Sequence, residues 1–174
     1  MKGILKRLTL TALILATAIA ASPSMAEGLY SGYAFINERH EELGDFDTWP
    51  LEEKAAFSEW QRELAEQGDK DAQYEISAVV YGVPGEDNMT LEEAVELARQ
   101  GILAKYAVKA EVLLGKFKVE ASYFTHFMDY EVPLWMIDFR VKDYDDMMDL
   151  GHYLVYIFDQ TREMELYNAA DSVG

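Results

Sequence analysis

A repeated glycine spacing is the feature that most constrains the fold of this chain. The intervals from Gly68 to Gly101 and from Gly82 to Gly115 are both 33 residues long. The residues that precede Gly68 and Gly101 are also alike, Leu-Ala-Glu-Gln and Leu-Ala-Arg-Gln. A period of this length holds two helices and two turns, and such a hairpin buries its apolar faces by stacking on a neighbour. The spacing therefore predicts stacked helical hairpins.

Residues 50–85 predict the first hairpin. Pro50 is favoured in the first turn of a helix, and Gly68 is favoured as the residue that ends one. The apolar face of this helix is expected to be Ala56, Trp60 and Leu64. The apolar positions of a second helix are Ala72, Ile76, Val79 and Val80. The glycine- and proline-rich stretch 82–85 then ends the hairpin.

Residues 90–117 predict the second hairpin. Thr90 and Glu93 have the spacing of a capping box, which places a helix start at this point. Gly101 is expected to end that helix, and a fourth helix is expected over 104–117. The apolar positions of the third and fourth helices are Leu91, Ala94, Val95, Ala98, Val108, Val112 and Leu113.

The residues at 65–74, Ala-Glu-Gln-Gly-Asp-Lys-Asp-Ala-Gln-Tyr, resemble the signature of Sel-one-like repeats, which are relatives of the tetratricopeptide repeats. The turn at 83–87 and the helix at 91–95 fit the same pattern. Ser77 stands where the family usually has glycine, and the second unit matches less closely. The resemblance covers roughly residues 52–117. It implies a right-handed stack of helical hairpins with a concave face that binds proteins and has no conserved catalytic centre.

Residues 119–174 are predicted as a helical cap on the repeats. Residues 123–141 are rich in aromatics and are interrupted by Pro133, which favours two helices, with a strand over 134–141 as the alternative. Residues 143–166 are predicted to form one long helix. Its residues 153–158 are apolar on every side of the helix, so we expect them to be buried. The predicted fold class is all-α: an irregular segment at 27–49, a short α-solenoid of stacked antiparallel helical hairpins at 50–118, and this aromatic-rich helical C-terminal cap.

Residues 1–26 have the pattern of a cleaved signal peptide. Lys2, Lys6 and Arg7 precede an apolar run over 8–21, and Ser24-Met25-Ala26 forms a small-x-small cleavage site. The run is shorter than the ~20 residues that a spanning helix needs, so no membrane anchor is expected to persist after cleavage. Because the chain has no cysteine, it is not expected to be a lipoprotein. We therefore predict a periplasmic protein of 148 residues.

The charge balance indicates the chemistry of the partner. The net charge is −17, and removal of the three basic residues in 1–26 brings it to about −20. Nucleic acids and anionic membranes are bound by cationic patches, so both are excluded as expected partners. A strongly acidic surface attracts a basic protein and speeds the encounter with it. Solubility alone is the alternative explanation of the acidic surface.

The sequence contains no recognisable catalytic or metal-binding motif. His40-Glu41 begins like a zinc-protease motif, but Gly44 stands where the second histidine is required. His126 and His152 have no ligand spacing, and the acids at 143–149 form only part of a calcium loop. We therefore predict no catalytic residue, no metal and no cofactor. Two alternatives are left for Trp49 and Trp135: they are core residues, or they are exposed anchors for a partner.

The sequence as a whole predicts a non-enzymatic protein-binding module. Its most specific form is an immunity-type inhibitor that binds and blocks a basic secreted toxin enzyme. Other hypotheses are an envelope scaffold that organises proteins without inhibiting them and an enzyme with an unrecognised site. The candidate partner-binding residues lie on the helices of the predicted repeats or in their turns: Glu75, Tyr81, Glu86, Asp87 and Glu111.

Overall fold

Helices and one antiparallel sheet make up the fold, in a computed structural model that describes residues 31–130, 133–142 and 152–168. The helices are α1 (Ser31–Leu43), α2 (Leu51–Glu66), α3 (Lys70–Ala78), α4 (Leu91–Lys105) and α5 (Ala110–Lys116), with a 3₁₀ helix at Phe46–Thr48. The strands are β1 (Val79–Tyr81), β2 (Phe117–Phe127), β3 (Leu134–Val141), β4 (Tyr153–Phe158) and β5 (Met164–Asn168). The predicted all-α fold class is therefore wrong, and the chain is a mixed α/β protein.

The predicted first hairpin is present as α2 and α3, but its last predicted helical positions, Val79 and Val80, belong to strand β1. Gly68 joins the two helices with a φ of +96°, a backbone conformation that favours glycine. Asp69 caps α3 by accepting a hydrogen bond from the Ala72 N–H at 3.0 Å. Of the predicted apolar face of α2, Ala56 is exposed, whereas Trp60 is half-buried against Phe35 and Phe57. The buried side chains of α2 are Lys54, Phe57, Ser58 and Gln61.

Helix α4 begins as predicted and ends later than predicted. Thr90 and Glu93 form the capping box, in which Glu93 Oε2 accepts a hydrogen bond from the Thr90 N–H at 2.9 Å. Gly101 does not end the helix, which continues to Lys105. Instead, Gly101 lies against β5, where an added Cβ would meet Leu166 Cδ2 and Met164 Cε at 3.1 Å. The glycine allows the helix and the strand to approach closely.

The second hairpin does not stack on the first, so the predicted α-solenoid at 50–118 is wrong. Helix α4 packs on β3, β4 and β5, and its buried side chains Ala94, Ala98 and Ile102 join the core formed by the sheet. Because the sheet covers this face, no neighbouring hairpin is required. Helix α5 leads directly into β2. The helical-repeat architecture that the Sel-one-like resemblance implied is therefore corrected to one hairpin beside a helix-covered sheet.

The predicted helical cap at 119–174 is also wrong, because its described residues form strands β2 to β5. The sheet order is β1-β2-β3-β4-β5, and every neighbouring pair is antiparallel. The strand alternative for residues 134–141 is confirmed as β3. Trp135 lies opposite Tyr123 of β2 and Ile157 of β4, and such cross-strand pairs stabilise a sheet. Residues 153–158 contain the predicted buried side chains, but as strand β4.

Different helices cover the two faces of the sheet. The first face carries Trp135, Ile137, Val155 and Ile157, all fully buried in the core shared with α4. On the second face, α2 covers the β1–β2 side, and the Lys54 ammonium reaches the Ser122 hydroxyl at 3.0 Å. The segment predicted as irregular at 27–49 contains α1 and the 3₁₀ helix, and its aromatic side chains pack on α2: Phe35, Phe46 and Trp49.

Two sequence predictions concern residues outside the described ranges. These are the signal peptide at 1–26 and the acidic segment at 143–149, which resembles part of a calcium-binding loop. Among the described residues, no helix is long and apolar enough to cross a membrane.

Candidate binding groove

A groove of about 610 Å³ lies on the β4–β5 side of the second face. Strand register places Leu154 of β4 opposite Tyr167 of β5, and Tyr156 opposite Glu165. The turn after β2 adds Tyr130. We call this feature the tyrosine groove and define it by Tyr130, Tyr156 and Tyr167, all of which line it. Beside Leu166 of β5 the groove also reaches Lys105 and Tyr106 at the end of α4.

A tight turn after β2 positions Tyr130. Met128 adopts a φ of 51°, and its N–H donates a 2.6 Å hydrogen bond to the Ala78 carbonyl. The Tyr130 N–H donates to the Phe127 carbonyl at 2.9 Å, which folds the chain back on itself. As a result, the Tyr130 ring stacks on the Phe127 ring with an interplanar angle of 8° and a centroid distance of 6.4 Å.

A carboxylate is held between two of the groove tyrosines. The hydroxyls of Tyr130 and Tyr167 each donate a 2.8 Å hydrogen bond to Glu165 Oε2. The hydrogen bond to Glu165 raises the pKa of Tyr130 to about 12 and also raises the pKa of Tyr167. Both hydroxyls therefore stay protonated near neutral pH and fix the carboxylate beside their rings.

The aromatic rings of the groove are close neighbours. The Tyr156 ring contacts the Tyr167 ring edge to face, with centroids 5.7 Å apart, and lies 5.5 Å from the Phe127 ring. Tyr167 remains 49% exposed. Ring faces attract cations through their quadrupole, and a nearby carboxylate adds charge attraction. The groove therefore offers aromatic contact area with the Glu165 carboxylate beside it, and Lys105 is among its lining residues.

Two nitrogen-bearing side chains already line the groove. Lys105 Nζ donates to the Leu166 carbonyl at 2.8 Å and lies 5.3 Å from the centroid of the Tyr106 ring. His152 Nδ1 lies 3.2 Å from Asp138 Oδ1. The Lys105 contact shows that an ammonium group is accommodated against an aromatic ring at this end of the groove.

A buried ion cluster lies next to the groove on the same face. We define it by Asp47, Lys54, Glu120, Asp138 and Arg140. Arg140 Nε lies 2.7 Å from Asp138 Oδ2 and 3.2 Å from Glu120 Oε2, and its Nη1 lies 2.9 Å from Asp47 Oδ2. The Asp138 and Glu120 side chains are only 5% and 7% exposed. One arginine thus pairs with two buried carboxylates and, through Asp47, ties the sheet to the segment before α2.

Lys54 completes this cluster from the helix side. Its ammonium donates to the Asp47 carbonyl at 2.8 Å, the Ala121 carbonyl at 2.8 Å and the Ser122 hydroxyl at 3.0 Å. Burial lowers the pKa of Lys54, against the attraction of Asp47 and Glu120. Because an ammonium has three donors and all are used, the role of Lys54 is to fasten α2 to β2.

The cavity between Glu120, Asp138 and Arg140 has no space for a substrate, whereas Asp47 and Glu120 also border a separate groove of about 610 Å³. The cavity bordered by Glu120, Asp138 and Arg140 measures about 10 Å³, which is room for one water molecule at most. Glu120 Oε2 and Asp138 Oδ1 lack a hydrogen bond of good geometry, yet each lies 3.2 Å from a nitrogen, of Arg140 and His152 respectively. The cluster is best described as a structural ion network.

The histidines and tryptophans have local structural partners. His40 lies 3.2 Å from Asp45, and His126 lies 2.9 Å from the Ser77 carbonyl. Within the described ranges, no three acidic or histidine side chains converge as metal ligands. The interpretation of Trp49 and Trp135 as exposed anchors is wrong, because they are 3% and 0% exposed.

The sequence-predicted partner residues lie on three separate parts of the fold. Glu75 on α3 is close enough to the Tyr81 hydroxyl of β1 to help raise its pKa to about 12, although burial is the larger cause. Glu86 and Asp87 are exposed in the loop between β1 and α4, and Glu111 is exposed in the first turn of α5. None of these five residues lines the tyrosine groove.

Sequence reasoning missed the groove residues because three distant segments supply them. Tyr130 comes from a turn, Tyr156 comes from β4, which lies within the helix predicted over 143–166, and Tyr167 comes from the end of β5, just beyond that predicted helix. The only signal in the sequence is the concentration of aromatic residues after residue 122.

Comparisons with protein-family models, with curated proteins and with solved structures give no match. The fold and groove alone define the class of this chain: a mixed α/β protein with a five-stranded antiparallel sheet and a tyrosine-lined groove. The resemblance of residues 65–74 to Sel-one-like repeats stays a prediction.

Proposed function

We propose that this protein is a non-catalytic binding protein for a basic partner protein. The observation that carries the proposal is the tyrosine groove of about 610 Å³, beside which two of the lining tyrosines hold the carboxylate of Glu165 at 2.8 Å. Tyrosine supplies large contact area at low entropic cost and is enriched in binding surfaces. The rings therefore supply the contact area of the proposed interface.

The charge of the whole chain supports the same kind of partner. A net charge of −17 creates a long-range field that raises the association rate of a basic protein and repels an acidic one. The proposed location is the periplasm, where an exported chain meets other exported proteins. In its specific form, the proposal is an immunity-type inhibitor that blocks a basic secreted toxin enzyme.

The experiment tests inhibition rather than capture. Exported basic enzymes encoded beside the gene are purified, and their binding to residues 27–174 is measured by isothermal titration calorimetry at two salt concentrations. We expect a one-to-one complex that weakens with salt and abolishes the activity of the enzyme. A deletion strain is expected to lose viability in contact with its parent. The immunity proposal fails if no such enzyme is encoded nearby and the deletion strain grows normally beside the parent.

A further inference from the structure

We infer that the unpaired edge of strand β2 binds an extended, basic segment of another protein, which joins the sheet as an added strand. The inference goes beyond the proposed function, because it assigns a surface other than the tyrosine groove and names the backbone contact made there. Strand addition at an exposed sheet edge obtains affinity from main-chain hydrogen bonds and specificity from contacts of alternate side chains. The β2 edge offers both kinds of contact.

Strand β1 covers only one end of β2. It pairs with β2 within residues 124–127. Next to that end, two outward carbonyls of β2 are already bonded within the chain. The Tyr123 carbonyl accepts from the Gly82 N–H at 2.9 Å, and the Ala121 carbonyl accepts from the Lys54 ammonium at 2.8 Å. Before Ala121, β2 has β3 on one side and no strand of the described sheet on the other.

The backbone of Val119 points to this unpaired side. The Lys142 N–H donates to the Lys116 carbonyl at 2.9 Å, and hydrogen-bonded pairs alternate along an antiparallel ladder. Lys118 and Glu120 therefore bond to β3, and Val119 directs its N–H and C=O away from it. Among the described residues, no group outside the strand bonds to either atom. Val119 thus offers a donor and an acceptor to an added strand.

A groove of about 610 Å³ runs along the same edge. We call it the edge groove and define it by residues 118–121 of β2, residues 47–51, and Leu91 and Val95 of α4, all of which line it. Consecutive strand residues have side chains on opposite faces, so a groove lined by four of them lies beside the strand edge. Four residues span about 13 Å, the length of a short added strand.

The walls of the edge groove are largely apolar. Leu91 and Val119 are each 43% exposed. Leu51 and Val95 line the groove and pack against the core with their other sides. Alternate side chains of an added strand therefore have apolar groups to contact on both sides of its backbone.

The exposed charges around the edge groove are mainly acidic. Asp47 lines the groove and stays 50% exposed although it contacts Arg140. Glu52 and Glu92 are exposed in the first turns of α2 and α4, each directly after a lining leucine. Lys118 is the basic lining residue, and its ammonium lies 2.8 Å from a buried carboxylate. A second copy of the chain would bring like charges together at this edge, whereas a basic segment complements them.

The probe is an acetylated and amidated peptide of sequence Lys-Val-Thr-Val-Thr-Lys. One control peptide has glutamate in place of both lysines, and the other is N-methylated at every central amide. We expect the basic peptide to bind with an affinity on the order of millimolar. The acidic peptide is expected to bind about tenfold more weakly, as is the N-methylated peptide, because it cannot donate to the Val119 carbonyl. No saturable binding of the basic peptide, or equal binding of the basic and N-methylated peptides, would overturn the inference.

Amide hydrogen exchange of Val119 reports strand addition itself. In the chain alone, the Val119 amide is expected to exchange faster than the amides of Lys118 and Glu120, which bond to β3. Saturation with the basic peptide is expected to slow Val119 about tenfold or more. Slow exchange before peptide is added would mean that another part of the chain or a second copy already pairs with the edge. That result, or unchanged exchange at saturation, would overturn the inference.

Matched variants separate the edge groove from the rest of the surface. Val119→Pro removes the outward donor and is tolerated where an edge-strand N–H faces solvent, so about tenfold weaker peptide binding is expected. Leu91→Gln removes an apolar wall contact and is expected to weaken binding about fivefold. Leu114→Gln is the control, because Leu114 is 63% exposed on α5 and does not line the groove. Equal peptide binding by Leu91→Gln and Leu114→Gln, with wild-type thermal midpoints, would show the inference to be wrong.

The same measurements distinguish this inference from the proposed function. If a basic partner enzyme is bound and blocked while the Val119 amide exchanges as in the chain alone, the function stands and the edge inference fails. If the basic peptide binds and protects Val119 but no toxin enzyme is found, the edge inference stands and the proposed function fails.

Discussion

Replacing Lys54 by methionine is predicted to destabilise the protein strongly, although most lysines lie exposed on protein surfaces. Lys54 is 1% exposed, and its ammonium satisfies the Ala121 carbonyl and the Ser122 hydroxyl in the interior. Methionine has a similar length and no donor. The substitution therefore leaves two buried acceptors without a partner, whereas the third acceptor, the Asp47 carbonyl, belongs to an exposed residue.

The magnitude follows from these two acceptors. A buried acceptor that loses its donor costs roughly 1–3 kcal/mol, and loss of a positive charge beside Glu120 adds to this cost. Burial lowers the pKa of Lys54, which means that holding the charged amine in the interior already costs free energy, and methionine recovers that part. We expect the free energy of unfolding to fall by about 3 kcal/mol and the thermal midpoint by about 10 °C.

Urea unfolding of residues 27–174, followed by tryptophan fluorescence, measures this change. Lys70→Met is the matched control, because Lys70 is exposed at the start of α3, and a change within 0.5 kcal/mol is expected, as is usual for surface substitutions. Ser122→Ala is expected to cost less in the Lys54→Met background than in the wild type. A loss below about 1 kcal/mol for Lys54→Met would refute the conclusion that this lysine fastens α2 to the sheet.

Two further predictions concern backbone space and alkaline pH. Gly82→Ala is expected to destabilise the protein by roughly 1–3 kcal/mol, because the added Cβ would lie 2.7 Å from Thr125 Cγ2. Gly115→Ala in helix α5 is expected to stabilise it by about 0.5–1 kcal/mol, because that Cβ would meet nothing within 4 Å. Equal midpoints of urea unfolding for the two variants would contradict these predictions. Tyr81 and Tyr123 have pKa values raised to about 12 by burial, so the stability they contribute is complete below pH 10.0 and is lost as pH rises through about 12. Absorbance at 295 nm should show these two tyrosines and Tyr130 ionising near pH 12 in the native chain and near pH 10 in urea. Simultaneous ionisation of all eleven tyrosines would contradict the assignment.

Local signals in the sequence predicted several helix boundaries correctly. The capping box at Thr90 and the left-handed glycine at Gly68 depend only on neighbouring residues, so both are readable without the fold. The face of α2 was not readable in this way. Its buried positions are mostly polar, and Lys54 and Ser58 are buried because they bond to groups distant in sequence, such as the Ser122 hydroxyl and the Tyr81 N–H.

The sheet was missed for a different physical reason. Residues 153–158 are apolar at nearly every position, and such a short run fits a buried helix or a buried strand equally well by periodicity. What decides between them is pairing with β3 and β5, which no local pattern contains. Residues 134–141 gave a better signal, because Asp138 and Arg140 alternate with Ile137 and Phe139. The tyrosine groove depends on the same pairing, so it was not predictable either.

The acidic residues predicted from the sequence and the groove found in the fold are expected to affect different rate constants. Glu86 and Asp87 are exposed on a loop, so they act on a basic partner at a distance and are screened within about 8 Å at physiological salt. Neutralising both is therefore expected to lower the association rate constant and its salt dependence. Glu165, held at 2.8 Å by two tyrosine hydroxyls, acts only in contact, so Glu165→Gln is expected to raise the dissociation rate constant instead.

Surface plasmon resonance with the partner enzyme measures both constants. If Glu86→Gln with Asp87→Asn changes only dissociation, the loop itself contacts the partner and the division between steering and contact is wrong.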